Sequence, residues 1–197
     1  MGVFRPATLI LMLVFTSISL DTFASPQDSK PYAALVDRAG EALGVSPTVV
    51  HAVIAAESSY DPSARSHAGA LGLMQLIPET GALEAYRYLY GRNEIPTDAS
   101  LLRPEVNVWL GTAYLRVLGE RYFGWVGNPD VRVRAILAAY NWGPTRVLSR
   151  LLPERNPIGL DEFMDRLYAE APKETQEYLR RVLTRAVAQA GPVLALR

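Results

Sequence analysis

The sequence contains no cysteine among its 197 residues. Disulfide bonds and cysteine-ligated metal sites are therefore excluded, and the fold must be stabilised by its apolar core. Histidine is also scarce: the two that are present do not form a metal-binding spacing, so we expect no metal and no cofactor. In an exported chain, the missing cysteine also argues against the lipid-modified cysteine of a bacterial lipoprotein.

An excess of either charge is absent as well. Lys and Arg together number 20, as do Asp and Glu, which gives a formal net charge of zero. Because nucleic-acid-binding surfaces are basic, we expect no nucleic-acid partner. With 49% hydrophobic and 20% charged residues, a chain of this length is sized for one globular domain.

Residues 1–24 have the organisation of a bacterial secretory signal peptide. Arg5 precedes the apolar run Ala7–Leu20, and Thr22-Phe23-Ala24 is a small-residue cleavage site. The run is shorter than the roughly 20 residues that a membrane span needs. We expect cleavage after Ala24 and a periplasmic domain over 25–197 that is not lipid-anchored; retention of the segment as a membrane anchor is the alternative.

Apolar residues recur at helical spacing along most of the chain, and no segment alternates with the period of a strand between hairpin turns. This pattern predicts an all-α fold whose core covers about residues 32–188. The expected helices span 31–43, 46 to the Asp61-Pro62 turn, 78–90, 104–122, 131–141, 144–152, 160–169 and 172–189. Several of them begin with proline, which favours the first helical position.

Glu57 lies on the apolar face of the second expected helix, in line with Val50, Val53 and Ile54. Burial disfavours the charged form of a carboxyl group and raises its pKa, as a general acid near neutral pH requires. The structural alternative is a glutamate at the rim of the core that pairs with an arginine such as Arg65. His51 points away from Glu57 on the helical wheel, so we expect it at the surface.

The loop after Glu57 is rich in turn residues and in hydrogen-bonding side chains. Ser66 and Gln75 could bind neutral sugars or N-acetyl groups, and Gly72 would allow the backbone to approach a ligand closely. As an alternative, Ser66 and Gln75 brace the turn.

The stretch ESSYDPSARSHAGALGLMQLIPET resembles the signature of the soluble lytic transglycosylase (SLT) family, whose fold is all-α and of the goose-type lysozyme-like class. Ala139-Tyr140-Asn141 and the segment 174–178, ETQEY, resemble two further motifs of the family. Residues 91–118 and 134–148 are similar to the catalytic domain of membrane-bound lytic murein transglycosylase C. Trp142-Gly143-Pro144 departs from the small residues that usually follow the Asn of this motif.

The resemblance implies that the substrate is peptidoglycan and that Glu57 is the sole catalytic acid and base. The bond between N-acetylmuramic acid (MurNAc) and N-acetylglucosamine (GlcNAc) would be cleaved without water to give a 1,6-anhydro product. Five further side chains would bind the substrate or orient Glu57: Ser66, Gln75, Tyr140, Asn141 and Tyr178. For both tyrosines, a role in the apolar core is the alternative.

Other functions stay open from the sequence. A muramidase of goose-lysozyme type would need a second carboxylate in the cleft, and Asp61, Glu79 and Glu84 are the nearest candidates. A non-catalytic peptidoglycan-binding module is another alternative. Service to a conjugation or secretion apparatus, as opposed to general wall turnover, is not decided by any motif. We expect a monomer.

Overall fold

The computed structural model describes residues 31–190, and no β-strand occurs among them; two isolated backbone bridges lie within residues 65–76. The expected all-α architecture is confirmed for this part of the chain, whereas the expected signal peptide lies outside it. The helices are α1 (Ala33–Leu43), α2 (Pro47–Glu57), α3 (Leu83–Tyr90), α4 (Asp98–Leu101), α5 (Pro104–Val117), α6 (Pro129–Trp142), α7 (Pro144–Leu151), α8 (Leu160–Glu170) and α9 (Lys173–Ala190). Short π-helical turns cover Pro78–Ala82 and Leu118–Tyr122.

Local sequence explains where several helices begin. Proline occupies the first position of α2, α5, α6 and α7, where its missing N–H costs no helical hydrogen bond. The start of α6 comes two residues before the expected Val131, because the Asn128 side chain accepts hydrogen bonds from the Asp130 and Val131 N–H groups. Ser46 stands before α2, but its side chain makes no capping hydrogen bond.

Helix α5 forms the centre of the core. Most of its residues are buried, and it packs against α1, α3 and α6. Helix α2 packs against α1 and α9, and α9 also packs against α6. This arrangement places the end of α2, with Glu57, against the beginning of α9. In the part of the chain that the structure describes, none of the helices combines the length and the apolar character needed to cross a bilayer.

The expectation that His51 lies at the surface is wrong. Its side chain is 4% exposed, and its Nδ1 atom lies 3.1 Å from the Tyr60 hydroxyl. A helical wheel treats α2 in isolation, whereas α2 packs against both α1 and α9. Consequently all five consecutive residues from Val50 to Ile54 are buried.

Candidate active site

Residues 58–77 form a loop that folds back on itself beyond α2. The Ser58 hydroxyl donates to the Leu73 carbonyl at 2.8 Å, which ties the start of the loop to its later part. The Asp61 carboxylate accepts hydrogen bonds from the backbone N–H and the hydroxyl of Ser63, at 2.8 and 2.7 Å. Asp61 therefore stabilises the turn that follows it.

The loop is fastened to α5 by Asn107, a fully buried residue that sequence reasoning missed. Its Oδ1 atom accepts from the Met74 N–H at 2.7 Å, and its Nδ2 group donates to the carbonyls of Leu71 and Leu101 at 2.8 and 2.7 Å. A polar amide in the middle of an otherwise apolar helix was the available signal, since buried polar groups need hydrogen-bond partners.

Gly72 has a packing role within the protein. The residue is buried, its φ is +73°, and a Cβ atom there would lie 2.5 Å from Asn107 Nδ2. Glycine is required because the loop backbone passes close to Asn107 in a conformation that other residues rarely adopt.

Glu57 is the last residue of α2 and is half-buried. Burial raises the pKa of its carboxyl from the ordinary 4.5 to about 7, while the nearby Tyr178 hydroxyl and the Arg181 charge lower this pKa and the Glu174 charge raises it. The position at the C-terminal end of a helix also disfavours negative charge. At neutral pH the protonated and ionised forms of Glu57 are therefore both populated.

Arg65, the arginine suggested as a partner of Glu57 in the structural alternative, does not pair with it. The Arg65 guanidinium pairs instead with the Asp98 carboxylate, with 3.2 Å between Nη1 and Oδ2. Arg181 on α9 is the cation that acts on Glu57.

The structure brings Tyr140 and Tyr178 next to Glu57, and the two hydroxyls differ. Tyr140 donates its proton to the Met74 carbonyl at 2.8 Å. The Tyr178 hydroxyl is buried and has no hydrogen-bond partner within 3.5 Å among the described residues, but it lies near enough to Glu57 to lower the pKa of that carboxyl. Burial raises the pKa of both tyrosines well above 10, so both stay neutral. Tyr178 can donate to the Glu57 carboxylate, whereas the proton of Tyr140 is already used.

A cavity of about 360 Å³ borders this site. Its lining includes Gln75, Tyr140 and Asn141, which the sequence predicted, together with Trp142. Glu57 is not part of the lining, but it adjoins the cavity through Tyr140, with which it interacts electrostatically.

The amide side chains of the cavity are oriented by the protein. Asn141 Oδ1 accepts a hydrogen bond of 2.8 Å from the hydroxyl of Thr175, a buried residue of α9. The Asn141 amino group is thereby directed away from Thr175 and is available to a ligand. Gln75, at φ +46°, donates through Nε2 to the Ala64 and Gly72 carbonyls at 3.2 and 2.9 Å. Gln75 therefore both lines the cavity and braces the loop.

Ser66 is not brought into this cavity. The residue is exposed, and its hydroxyl accepts a hydrogen bond from the Ala70 N–H at 3.0 Å. This contact is the bracing role that the sequence left open as an alternative.

Of the three candidate second carboxylates, Glu84 lines the cavity, whereas Asp61 and Glu79 do not. Glu84 Oε2 accepts a hydrogen bond of 3.0 Å from the Tyr122 hydroxyl. Among residues 31–190, no three His, Asp or Glu side chains are grouped as metal ligands. The side chains that the structure gathers at this site, Glu57 and its tyrosine and amide neighbours, can transfer protons and form hydrogen bonds.

Comparison with known proteins adds an independent finding. The model of the transglycosylase SLT domain matches residues 34–157. Membrane-bound lytic murein transglycosylase C of Sodalis glossinidius is 33% identical over 159 residues, which cover 77% of this chain and 44% of that protein. Endo-type membrane-bound lytic murein transglycosylase A of Citrobacter koseri is 34% identical over 143 residues, which cover 69% of this chain and 70% of that protein.

A solved structure has the same fold. It is that of an inactive mutant of lytic transglycosylase Slt from Pseudomonas aeruginosa, with a TM-score of 0.67 and 31% identity. The match covers 85% of this chain and 25% of that one. The expected lysozyme-like all-α fold is therefore confirmed. The chain spans less than half the length of the transglycosylase C relative and about a quarter of the Slt chain. On the family model and the two sequence relatives, the chain belongs to the transglycosylase SLT domain family.

Proposed function

We propose that this protein is a peptidoglycan lytic transglycosylase in which Glu57 acts first as a general acid and then as a general base. The observation that carries the proposal is the pKa of about 7 at Glu57, beside a cavity that presents hydrogen-bonding groups. A carboxyl group with this pKa can hold a proton near neutral pH and take one back in a later step.

In the first step, Glu57 protonates the oxygen between MurNAc and GlcNAc, and the C1–O bond breaks with its electrons passing to the leaving group. The 2-acetamido group of MurNAc stabilises the cationic C1 centre. Glu57, now ionised, accepts the proton of the MurNAc C6 hydroxyl. At the same time, the C6 oxygen forms a bond to C1. The product is a 1,6-anhydro ring, and no water is consumed.

Neighbouring side chains support each state of Glu57. The buried Tyr178 hydroxyl can donate to the carboxylate that forms after the first step. The amino group of Asn141, oriented by Thr175, can bind a carbonyl oxygen such as that of an acetamido group. Because the C6 hydroxyl belongs to the bound sugar, its effective concentration exceeds that of a water molecule.

Three related proteins support the substrate and the type of the catalytic residue. The two sequence relatives are named murein transglycosylases, and the Pseudomonas Slt structure is of a mutant that is inactive with one Glu replaced by Gln. Each name describes that protein; for this chain, it supports a catalytic glutamate acting on peptidoglycan.

Glu84 gives a specific reason to consider a muramidase as the second candidate. Inverting glycosidases use a second carboxylate to activate water, and Glu84 lines the cavity. We favour the transglycosylase because Glu84 already accepts a hydrogen bond from Tyr122, and because the charges that act on Glu57 come from Arg181 and Glu174 instead.

Digestion of purified sacculi in ¹⁸O-labelled water tests the proposal. A transglycosylase leaves 1,6-anhydroMurNAc ends without label, whereas a muramidase leaves reducing ends that carry ¹⁸O. We expect unlabelled anhydro ends from the wild-type protein and loss of turnover by at least about 100-fold in Glu57→Gln, since acid–base catalysis contributes about 10² to 10⁴. Labelled ends that disappear in Glu84→Gln would instead establish the hydrolase.

We also propose that the protein is exported and acts on glycan strands in the periplasm. The composition of residues 1–24 supports export, whereas the sequence relatives are named membrane-bound. Sequencing the N-terminus of the protein recovered from periplasmic and membrane fractions tests cleavage near Ser25 against a retained anchor.

A further inference from the structure

A second cavity, of about 500 Å³, lies between α3, the segment after it and α5. It shares no lining residue with the cavity at Glu57. On α3, the side chains of Glu84 and Tyr86 belong to the first and second cavities respectively, and residues two apart on a helix point about 200° from each other. The second cavity therefore opens on a different face of the protein. We name it the α3–α5 groove.

Aromatic rings form the apolar part of the α3–α5 groove. Tyr86 and Tyr90 are one helical turn apart, with ring centroids separated by 4.6 Å, and Trp109 lines the groove from α5. Tyr90 is 50% exposed, and Ile95 beside it is 51% exposed. A large ring left half in solvent next to a cavity provides a flat apolar surface for a ligand.

Polar groups surround these rings and retain hydrogen-bonding capacity. The Trp109 indole N–H and the Glu105 carboxylate make no hydrogen bond or ion pair with any described residue. Thr97 and Ser100 also line the groove. The Thr97 hydroxyl accepts from the Ser100 N–H at 3.3 Å and can still donate, and the Ser100 hydroxyl donates to the Thr97 carbonyl at 2.7 Å and can still accept. Apolar ring faces beside mixed donors and acceptors match a pyranose sugar, which has apolar C–H faces and a rim of hydroxyl and acetamido groups.

The charge of the groove favours uncharged sugars over anionic ones. Two carboxylates, Glu94 and Glu105, line the α3–α5 groove, and no Lys or Arg does. The nearby Arg92 is occupied: it lies over the Tyr86 ring at 5.8 Å, and its Nη1 atom is 3.7 Å from Glu94 Oε2. A ligand with its own carboxylate, such as a muramyl peptide, would be repelled, whereas the uncharged GlcNAc unit would not.

We propose that the α3–α5 groove is a second glycan-binding site that takes uncharged N-acetylhexosamine units, separate from the cavity at Glu57. The choice of a glycan as ligand rests on the proposed function. Such a site would hold a neighbouring strand, or a distant part of the same strand, while one bond is cleaved at Glu57. It would raise the local concentration of an insoluble substrate without taking part in catalysis.

The three tryptophans of the chain allow the two sites to be observed separately. Trp109 reports on the groove, Trp142 reports on the cavity near Glu57, and the Trp125 indole N–H is already bonded to the Tyr122 carbonyl at 2.8 Å. In Glu57→Gln protein, the indole ¹H–¹⁵N signals are assigned by single Trp→Phe substitutions and followed during titration with a β-1,4-linked GlcNAc tetramer. We expect the Trp109 signal to move along its own saturation curve, distinct from that of the Trp142 signal.

A pair of tyrosine substitutions tests the ring platform. Tyr90→Ala should weaken the binding reported by Trp109 by about tenfold, since the exposed aromatic face of the groove is lost, and should leave the Trp142 curve unchanged. Tyr168→Ala is the matched control, because Tyr168 is 60% exposed on α8 and does not line the groove. In the wild-type background, Tyr90→Ala should slow release from insoluble sacculi but not cleavage of short soluble glycans.

Three results would overturn the proposal. The Trp109 signal could stay unmoved at tetramer concentrations that saturate Trp142, or its curve could be unaffected by Tyr90→Ala. It could also respond to a simple alkylamine but not to the tetramer, which would make the groove a site for cations. None of these results depends on turnover, so a failure of the Glu57 chemistry in the wild-type protein is recognised separately from a failure of the groove.

Discussion

Replacing Glu57 by Gln should stabilise the folded protein above neutral pH while removing its activity. The pKa of Glu57 is raised from 4.5 to about 7 in the folded state, mainly because burial penalises the ionised form. Between these two values the folded state binds more protons than the unfolded state, so stability falls as the pH rises. The cost is absent well below pH 4.5 and complete above about pH 7. A neutral glutamine does not incur it.

The size of the change in stability follows from the rise in the Glu57 pKa. One pKa unit corresponds to about 1.4 kcal/mol, so a rise from 4.5 to about 7 destabilises the ionised protein by about 3 kcal/mol. For a domain of this size, about 1 kcal/mol changes Tm by roughly 2–4 °C, so the full effect corresponds to roughly 6–12 °C. Glutamine also changes local hydrogen bonds, but that contribution is the same at both ends of the pH range.

The assay is thermal unfolding of wild-type and Glu57→Gln protein at pH 4.5 and pH 8.5. We expect the difference in Tm, mutant minus wild type, to be larger at pH 8.5 by several degrees. Glu79→Gln provides the matched control, because it is the same substitution at an exposed position. A Tm difference for Glu57→Gln that does not change with pH would refute the reasoning, since it would show that Glu57 is ionised at little cost.

Two further predictions concern the loop and the tyrosine. In urea unfolding, Gly72→Ala should destabilise the fold by at least about 2 kcal/mol more than Gly69→Ala. Both glycines have a positive φ, but only at Gly72 would the added Cβ lie against Asn107. Equal effects would contradict the packing role of Gly72. Tyr178→Phe should lower kcat about tenfold, because a donor to the Glu57 carboxylate is lost. The loss should also raise the Glu57 pKa and so move the alkaline limb of kcat/KM to higher pH. An unchanged pH profile would exclude this donor role.

Features that depend on local sequence could be predicted. Apolar spacing and proline at the first helical position located most of the helices, and the face containing Val53 and Ile54 indicated that Glu57 would be desolvated. The same spacing predicted one continuous helix where the structure has two elements. The expected helix over 104–122 ends as α5 at Val117 and continues as a π-helical turn, a change of hydrogen-bond register that residue spacing does not reveal.

Features that depend on contacts between distant segments could not be predicted. His51 is buried in a helix that packs against α9, although α2 and α9 are far apart in the sequence. Asn107 bonds to a loop more than thirty residues before it. The short helix Asp98–Leu101 was missed because four residues contain too little periodicity to be recognised.

The proton affinity of Glu57 depends on a part of the chain that lies beyond the matched family segment. That segment ends at residue 157, whereas α9 begins at Lys173. Yet α9 contributes the Tyr178 hydroxyl and the Arg181 and Glu174 charges that adjust the Glu57 pKa. Burial and the Glu174 charge raise this pKa, whereas Tyr178 and Arg181 lower it, so the value near 7 is a balance of opposing effects. A change in how α9 packs on α2 would therefore alter the protonation of Glu57 without altering any residue of the matched segment.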